Sequence, residues 1–117
     1  MAIIRITNLK LRTIIGANNW ERDIKQDVII NVTIDFDATK SSKTDDLKDT
    51  VDYKIITKKI IKLVESSNYQ LLEKLTAQAL KIVLKNPLVN QATVRIDKPQ
   101  ALRFAETVSV ELTGKRK

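Results

Sequence analysis

The chain has 117 residues, 43% of them hydrophobic, which is enough for one domain with a buried core. It contains no cysteine and no histidine, so thiol nucleophiles, imidazole bases and zinc sites built from these residues are excluded and only an all-oxygen metal site would remain. The 21 Lys and Arg residues outnumber the 14 acidic ones, and the formal net charge of +7 favours anionic partners.

Neither nucleic acid nor membrane is the expected partner. Aromatic residues make up only 4% of the chain, which leaves little material for stacking bases. The sequence shows no signal peptide and no apolar stretch of membrane-spanning length. We therefore expect a single cytoplasmic domain over residues 1–117.

Two β-strands are predicted first. Apolar residues alternate from Ile3 to Ile15, but the apolar positions change parity between Ile6 and Leu9, which predicts a bulge near that point. The alternation from Val28 to Phe36 is strict and predicts a half-buried strand. The small polar residues from Lys40 to Asp46 predict a loop.

Two helices and two further strands follow. Asp52 is placed to cap a helix with an apolar stripe, and a second helix runs from the region of Leu72 to a stop at Asn86-Pro87. Alternating segments then occupy Ala92 to Ile96, with Lys98 after the strand end, and Val108 to Leu112. The order is ββααββ, which predicts an α+β fold in which an antiparallel four-stranded sheet carries two helices on one face.

The outer strands of such a sheet have open edges, and its second face needs water or a partner. Edges of this kind can pair between copies of a chain. We therefore expect a ring of subunits whose sheets join edge to edge into a larger barrel.

Four short sequences place two carboxylates, one phenol and one amine at the ends of the predicted elements. In the absence of histidine and cysteine, acid–base chemistry must come from residues of these types, with pKa values tuned by their surroundings. The four sequences are Trp20-Glu21, Asp52-Tyr53, Leu71-Leu72-Glu73 and Asp97-Lys98-Pro99.

Each of these residues, taken alone, has an ordinary structural explanation. Glu73 can stabilise the dipole of a helix in its first turn, and Lys98 can be a solvated lysine at a strand end. Tyr53 can pack against the core at a helix start, and Glu21 can be a plain loop residue. Their joint occurrence in this order is what favours a site.

The four sequences and the ββααββ order resemble the dihydroneopterin aldolase family, which includes dihydroneopterin triphosphate epimerase, over essentially the whole chain. The resemblance implies the tunnelling fold, in which four subunits close a barrel, two rings stack as a homo-octamer, and active sites lie between neighbouring subunits. It also implies a pterin substrate and no cofactor or metal.

The resemblance further implies a role for each residue. Lys98 corresponds to the principal proton-transfer residue and Tyr53 to a catalytic phenol donated by an adjacent subunit. Glu21 corresponds to an acidic residue that contacts the substrate hydroxyls across the subunit boundary and assists catalysis. Glu73 corresponds to the pterin anchor, because a carboxylate accepts two hydrogen bonds from the amino group and adjacent ring N–H. Backbone groups around Leu72 add to this grip.

The implied chemistry has two outcomes. The C6=N5 imine of a 7,8-dihydropterin accepts the electrons released when the 2′-hydroxyl loses its proton and the C1′–C2′ bond opens. Departure of glycolaldehyde gives 6-hydroxymethyl-7,8-dihydropterin, a folate precursor. If the fragment instead rotates and adds back through its other face, C2′ is inverted and the product is dihydromonapterin.

The local resemblance is divided between these outcomes. Trp20-Glu21 resembles the aldolases, whereas three other segments resemble the triphosphate epimerases: 11–16, 71–76 and 101–109. Arg103, in the last of them, is a candidate contact for a phosphorylated side chain. The sequence therefore predicts an aldolase/epimerase acting on dihydroneopterin or its triphosphate, with a dedicated triphosphate 2′-epimerase as the alternative. A non-catalytic pterin or purine binding module and a basic RNA-binding domain are further hypotheses.

Overall fold

The computed structural model describes residues 1–99 and 101–116. The four strands form one antiparallel sheet in sequential order, and the helices are inserted between the second and third strands. The predicted α+β fold is confirmed, and the predicted ββααββ order holds for the four strands and the two long helices. The strands are β1 (Ala2–Thr13), β2 (Gln26–Phe36), β3 (Val89–Pro99) and β4 (Thr107–Lys115), and the helices are α1 (Thr39–Thr44), α2 (Tyr53–Ser66) and α3 (Leu72–Leu84).

The predicted bulge in β1 is confirmed. The pairing of β1 with β2 shifts register between Ile6 and Leu9, and Asn8 takes the left-handed conformation with φ 55°. The Asn8 backbone N–H donates to Asn31 Oδ1 at 2.9 Å. The bulge keeps the apolar residues of β1 on the helix side of the sheet although their parity changes in the sequence.

The core lies between one face of the sheet and the two long helices. The alternate residues of β2 that were predicted to be apolar and inward are buried, from Val28 to Phe36. Asp52 caps α2 as predicted, because its Oδ1 accepts hydrogen bonds from the backbone N–H groups of Lys54 at 3.1 Å and Ile55 at 3.3 Å. The helices bury a stripe at helical spacing that consists of Ile56, Ile60, Val64, Leu75, Ala79 and Val83.

Two local predictions are wrong. The segment from Lys40 to Asp46 is not simply a loop, because Thr39–Thr44 forms α1, which ends at Asp45 with φ 54°. This helix buries no residue, so its sequence carries no apolar period. Strand β3 continues beyond Ile96, so Lys98 lies within the strand opposite Val108 of β4.

Strands β1 and β4 are the two outer strands of the sheet. Within residues 1–99 and 101–116, no helix combines the length and apolar character needed to cross a membrane.

Candidate active site

A cleft of about 320 Å³ brings several of the predicted site residues together. It lies where the β1–β2 loop, the start of α3 and the β3–β4 region meet. Glu21, Leu72, Glu73 and Lys98 all line it, whereas Tyr53 does not. The remaining lining is largely apolar and includes Ile15, Val108 and Val110.

Lys98 enters the cleft because of the alternation of β3. Ala92, Val94 and Ile96 are buried on the helix side of the sheet, and Lys98 continues the same parity. Its Nζ lies 2.5 Å from Oε2 of Glu21 in the same chain, and the two side chains are only 12% and 5% exposed. The structure therefore joins an amine and a carboxylate that are 77 residues apart in the sequence.

Glu21 is held by donors on both carboxylate oxygens. Asn18 donates to Oε1 from Nδ2 at 2.9 Å and from its backbone N–H at 3.3 Å, and Gln26 Nε2 donates to Oε2 at 2.9 Å. Burial raises the pKa of Glu21, but the hydrogen bonds from Gln26, Lys98 and Asn18, together with the Lys98 charge, outweigh it and lower the pKa to about 2. Glu21 is therefore ionised at neutral pH and presents its charge to the Lys98 amine.

Gly16 makes room for this carboxylate. Its φ is +136°, and a Cβ at this position would lie 2.2 to 2.4 Å from the three carboxyl atoms of Glu21. Only glycine provides both the backbone conformation and the space.

The start of α3 forms another wall of the cleft. Leu72 is 8% exposed, and the Glu73 side chain is exposed beside it. Leu71 precedes the helix without a side-chain cap, so the first backbone N–H groups of α3 have no capping side chain at the cleft. The Thr76 hydroxyl donates to the Leu72 carbonyl at 2.7 Å and fixes this first turn.

Tyr53 lies at the first position of α2 and is 51% exposed, apart from the cleft. Its catalytic role stays a prediction, as does the contact of Glu21 with substrate hydroxyls across a subunit boundary. What the chain itself shows is Glu21 paired with its own Lys98. Trp20, next to Glu21, is 59% exposed.

Sequence reasoning missed the residues that hold Glu21. Gln26 bridges two parts of the site, because its Nε2 donates to the Ile15 carbonyl as well as to Glu21, both at 2.9 Å. A polar residue at the start of a strand carries no distinctive signal. A polar residue three positions before the glutamate, as Asn18 is, suggests local capping but gives no indication of a site.

The arrangement is suited to moving a proton beside a small bound molecule. An ionised carboxylate holds an amine in a largely apolar cleft, and a second carboxylate and the start of α3 line the same cleft. No cluster of three or more His, Cys, Asp or Glu residues within 1–99 and 101–116 is placed to hold a metal ion. Acid–base chemistry by Lys98 and Glu21 stays a prediction, and the geometry of the pair is suited to it.

Comparison with known proteins identifies the family. The family model described as dihydroneopterin aldolase, FolB, matches residues 4–113. The chain belongs to the dihydroneopterin aldolase family, as the resemblance predicted.

Both branches of the family are among its relatives. The chain is 47% identical to the dihydroneopterin triphosphate 2′-epimerase of Pseudomonas aeruginosa, over 99% of this chain and 94% of that protein. It is 27% identical to the dihydroneopterin aldolase of Escherichia coli, over 94% of this chain and 90% of that protein. The crystal structure of the E. coli aldolase in complex with neopterin matches with a TM-score of 0.92 and 26% identity, over 97% of this chain and 99% of that chain.

Proposed function

We propose that this protein is an enzyme of pterin metabolism that inverts C2′ of dihydroneopterin triphosphate, and that the same site also supports retro-aldol cleavage of dihydroneopterin. The observation that carries the proposal is the buried pair of Lys98 and Glu21 in one cleft with Glu73. The 47% identity to a triphosphate epimerase, against 27% to an aldolase, favours the epimerase as the main activity.

The proposed reaction begins with the pterin ring held at the start of α3. The Glu73 carboxylate accepts hydrogen bonds from the ring amino group and the adjacent ring N–H, and the backbone at Leu72 contributes further hydrogen bonds. Leu72 and the apolar walls of the cleft exclude water from one side of the ring. This orientation places the three-carbon side chain towards Lys98.

Lys98, held in place by Glu21, then accepts the proton of the 2′-hydroxyl, and it returns this proton to the 2′-oxygen after re-addition or delivers it to C1′ in the aldol outcome. Loss of this proton allows the C1′–C2′ bond to break, and its electron pair enters the C6=N5 imine of the substrate itself. The protein needs only to move protons and hold the ring, because the substrate stores the charge. Re-addition of C1′ to the other face of the released aldehyde gives the epimer, whereas protonation of C1′ and release of glycolaldehyde gives the aldolase product.

We propose that the site is completed by a second copy of the chain. Tyr53 is half exposed and outside the cleft, and two rim residues, Leu71 and Leu102, are 54% and 60% exposed. Strands β1 and β4 are free to pair with other copies. A ring that brings Tyr53 of one subunit to the cleft of another accounts for these features, and the homo-octamer and a cytoplasmic location belong to the same proposal.

The activity is tested with purified protein and two substrates, dihydroneopterin and its triphosphate. Separation of dihydromonapterin products from hydroxymethyldihydropterin gives the ratio of the two outcomes, and we expect epimerisation of the triphosphate to be faster. Lys98→Ala is expected to lower turnover by about 100-fold or more while pterin binding is largely kept. Lys62→Ala, on the exposed side of α2, is the matched control.

The results discriminate between the hypotheses. If the protein binds pterins but converts neither substrate, the non-catalytic binding module is favoured. Steeply salt-dependent association with RNA would favour the nucleic-acid hypothesis.

Complementation tests the shared site. Tyr53→Phe and Lys98→Ala proteins are unfolded together, refolded together and assayed. If each site takes its lysine and its phenol from different subunits, about one quarter of the sites in random mixed rings are intact. Activity no higher than that of the separate variants, or a strictly monomeric wild type, contradicts the shared site.

A further inference from the structure

One arginine connects two loops that both contribute residues to the lining of the cleft. Arg22 follows Glu21 directly, and its Nη1 donates to the carbonyl oxygens of Gly16 at 2.8 Å and Tyr69 at 3.2 Å. Its Nη2 donates to the carbonyl oxygen of Asn68. Gly16 lies in the β1–β2 loop, whereas the other two acceptors lie in the loop between α2 and α3.

These two loops hold different parts of the proposed machinery. The β1–β2 loop carries Glu21 and, through it, the contact with Lys98. The α2–α3 loop runs directly into the start of α3, where Glu73 lies four residues after Tyr69. The guanidinium therefore links the loop that carries Glu21 to the loop that leads into the helix end proposed to anchor the pterin.

The chemistry of arginine suits this position. The guanidinium is planar, carries five N–H donors in fixed directions and stays charged at every relevant pH. Hydrogen bonds from a charged donor are short and strong. Several carbonyl groups bound to one rigid group are fixed relative to one another, and loops of this kind are otherwise among the more mobile parts of a protein.

We propose that Arg22 is a positioning residue, which sets the distance between the Glu21–Lys98 pair and the start of α3. This inference rests on the proposed function, because it concerns how two parts of that site act on one substrate molecule. Arg22 lines neither side of the cleft and is not a catalytic residue. Its effect is on alignment, so its loss should lower turnover more than it lowers pterin binding.

A second link between the same regions provides a matched control. The Thr13 hydroxyl, at the end of β1, donates to the Ser67 carbonyl at 3.1 Å, and Thr13 does not line the cleft. Thr13→Val removes this link and keeps the shape of the side chain. If Arg22 only stabilises the fold, both substitutions should act on stability and neither should act on turnover per folded molecule.

The experiment compares Arg22→Leu, Arg22→Lys and Thr13→Val with the wild type on dihydroneopterin triphosphate. For Arg22→Leu we expect kcat to fall roughly 10- to 100-fold while the Kd of a pterin product changes less than about threefold. Arg22→Lys, which keeps the charge but loses the planar fork, should recover part of kcat. Thr13→Val should keep wild-type kcat although it unfolds at a lower urea concentration.

Hydrogen exchange gives a readout that does not depend on activity. The Gly16 backbone N–H donates to the Tyr69 carbonyl at 3.2 Å, across the same two loops. Hydrogen exchange of this N–H should be faster in Arg22→Leu than in Thr13→Val. If the leucine variant does not fold, Arg22→Lys is compared with Thr13→Val instead. Wild-type kcat in the arginine variants, or unchanged Gly16 exchange, overturns the inference. If the wild-type protein shows no turnover, only the proposed function is overturned, because the exchange comparison still tests whether Arg22 holds the two loops together.

Discussion

Replacing Gly16 with alanine tests whether the backbone at this position decides where the Glu21 carboxylate lies. The added methyl group would sit 2.2 to 2.4 Å from the carboxyl carbon and both oxygens of Glu21, and the φ of +136° is unfavourable for any residue with a Cβ. Because the carboxylate cannot share this space, it must leave its position beside Lys98. The substitution therefore separates the amine from the acid without changing either residue.

Gly16→Ala is expected to lower the free energy of unfolding for two reasons. Backbone strain at such a φ is about 1–3 kcal/mol. Displacing the carboxylate leaves the Lys98 amine, on a side chain that is only 12% exposed, without its acceptor, which costs about 1–3 kcal/mol more. The free energy of unfolding should fall by roughly 2–6 kcal/mol, and kcat by roughly 10- to 100-fold, since the reacting groups are misplaced.

Urea unfolding and steady-state turnover are measured side by side, with Gly114→Ala as the control. A Cβ at Gly114 would lie 2.7 Å from Leu84 Cδ1, so this variant also suffers a steric clash, but at the far end of β4 from the cleft. Because that atom is the end of a flexible side chain that can shift, Gly114→Ala should lose less stability than Gly16→Ala, and it should keep its kcat. If Gly16→Ala matches the wild type in both stability and kcat, the carboxylate tolerates the methyl group and the reasoning is wrong.

Three further predictions concern pH and local conformation. The pKa of Glu21 is lowered from 4.5 to about 2, so the stability it contributes is fully present above pH 4.5 and is lost as the pH falls towards 2. The free energy of unfolding, measured by urea titration at several pH values, should depend less on pH in this range for Glu21→Gln than for the wild type. The same pH dependence in both proteins would contradict the lowered pKa. Asp52→Ala should lower the free energy of unfolding by about 1 kcal/mol through loss of the α2 cap, whereas Asp52→Asn should change it by a few tenths at most. Asn8→Val should lower the free energy of unfolding by roughly 1–3 kcal/mol, because valine is strained in the left-handed conformation of the bulge. Asn8→Gly should lower it distinctly less in the same assay, and equal losses for the two variants would show that the bulge imposes no such strain.

The elements that were predicted correctly are those whose sequence pattern reflects burial. The alternation from Val28 to Phe36 marks a strand with one buried face, and the change of parity before Leu9 marks the bulge, because both follow from which side chains face the helices. The cap at Asp52 is a local hydrogen-bonding pattern that depends on only a few residues. Such signals are contained in short windows of sequence.

The parts that could not be predicted depend on contacts across the chain. Helix α1 has no buried side chain, and the extension of β3 to Pro99 depends on its pairing with β4. The 2.5 Å contact joins Lys98 of β3 to Glu21 of the β1–β2 loop, which are 77 residues apart in the sequence. The need for glycine at position 16 follows only once the position of that carboxylate is known. The family resemblance supplied the site residues but not their support by Gln26 or Arg22.

The insertion of both long helices between β2 and β3 also bears on how the enzyme matures. Each half of the sheet is a hairpin of neighbouring strands, whereas the central seam, where Ile29 lies opposite Asp97, joins segments far apart in the sequence. Glu21 belongs to the first hairpin and Lys98 to the second, so the pair cannot form until the seam has closed. Competence for chemistry therefore requires both hairpins and the closed seam, and a chain that has formed only one hairpin lacks one member of the pair.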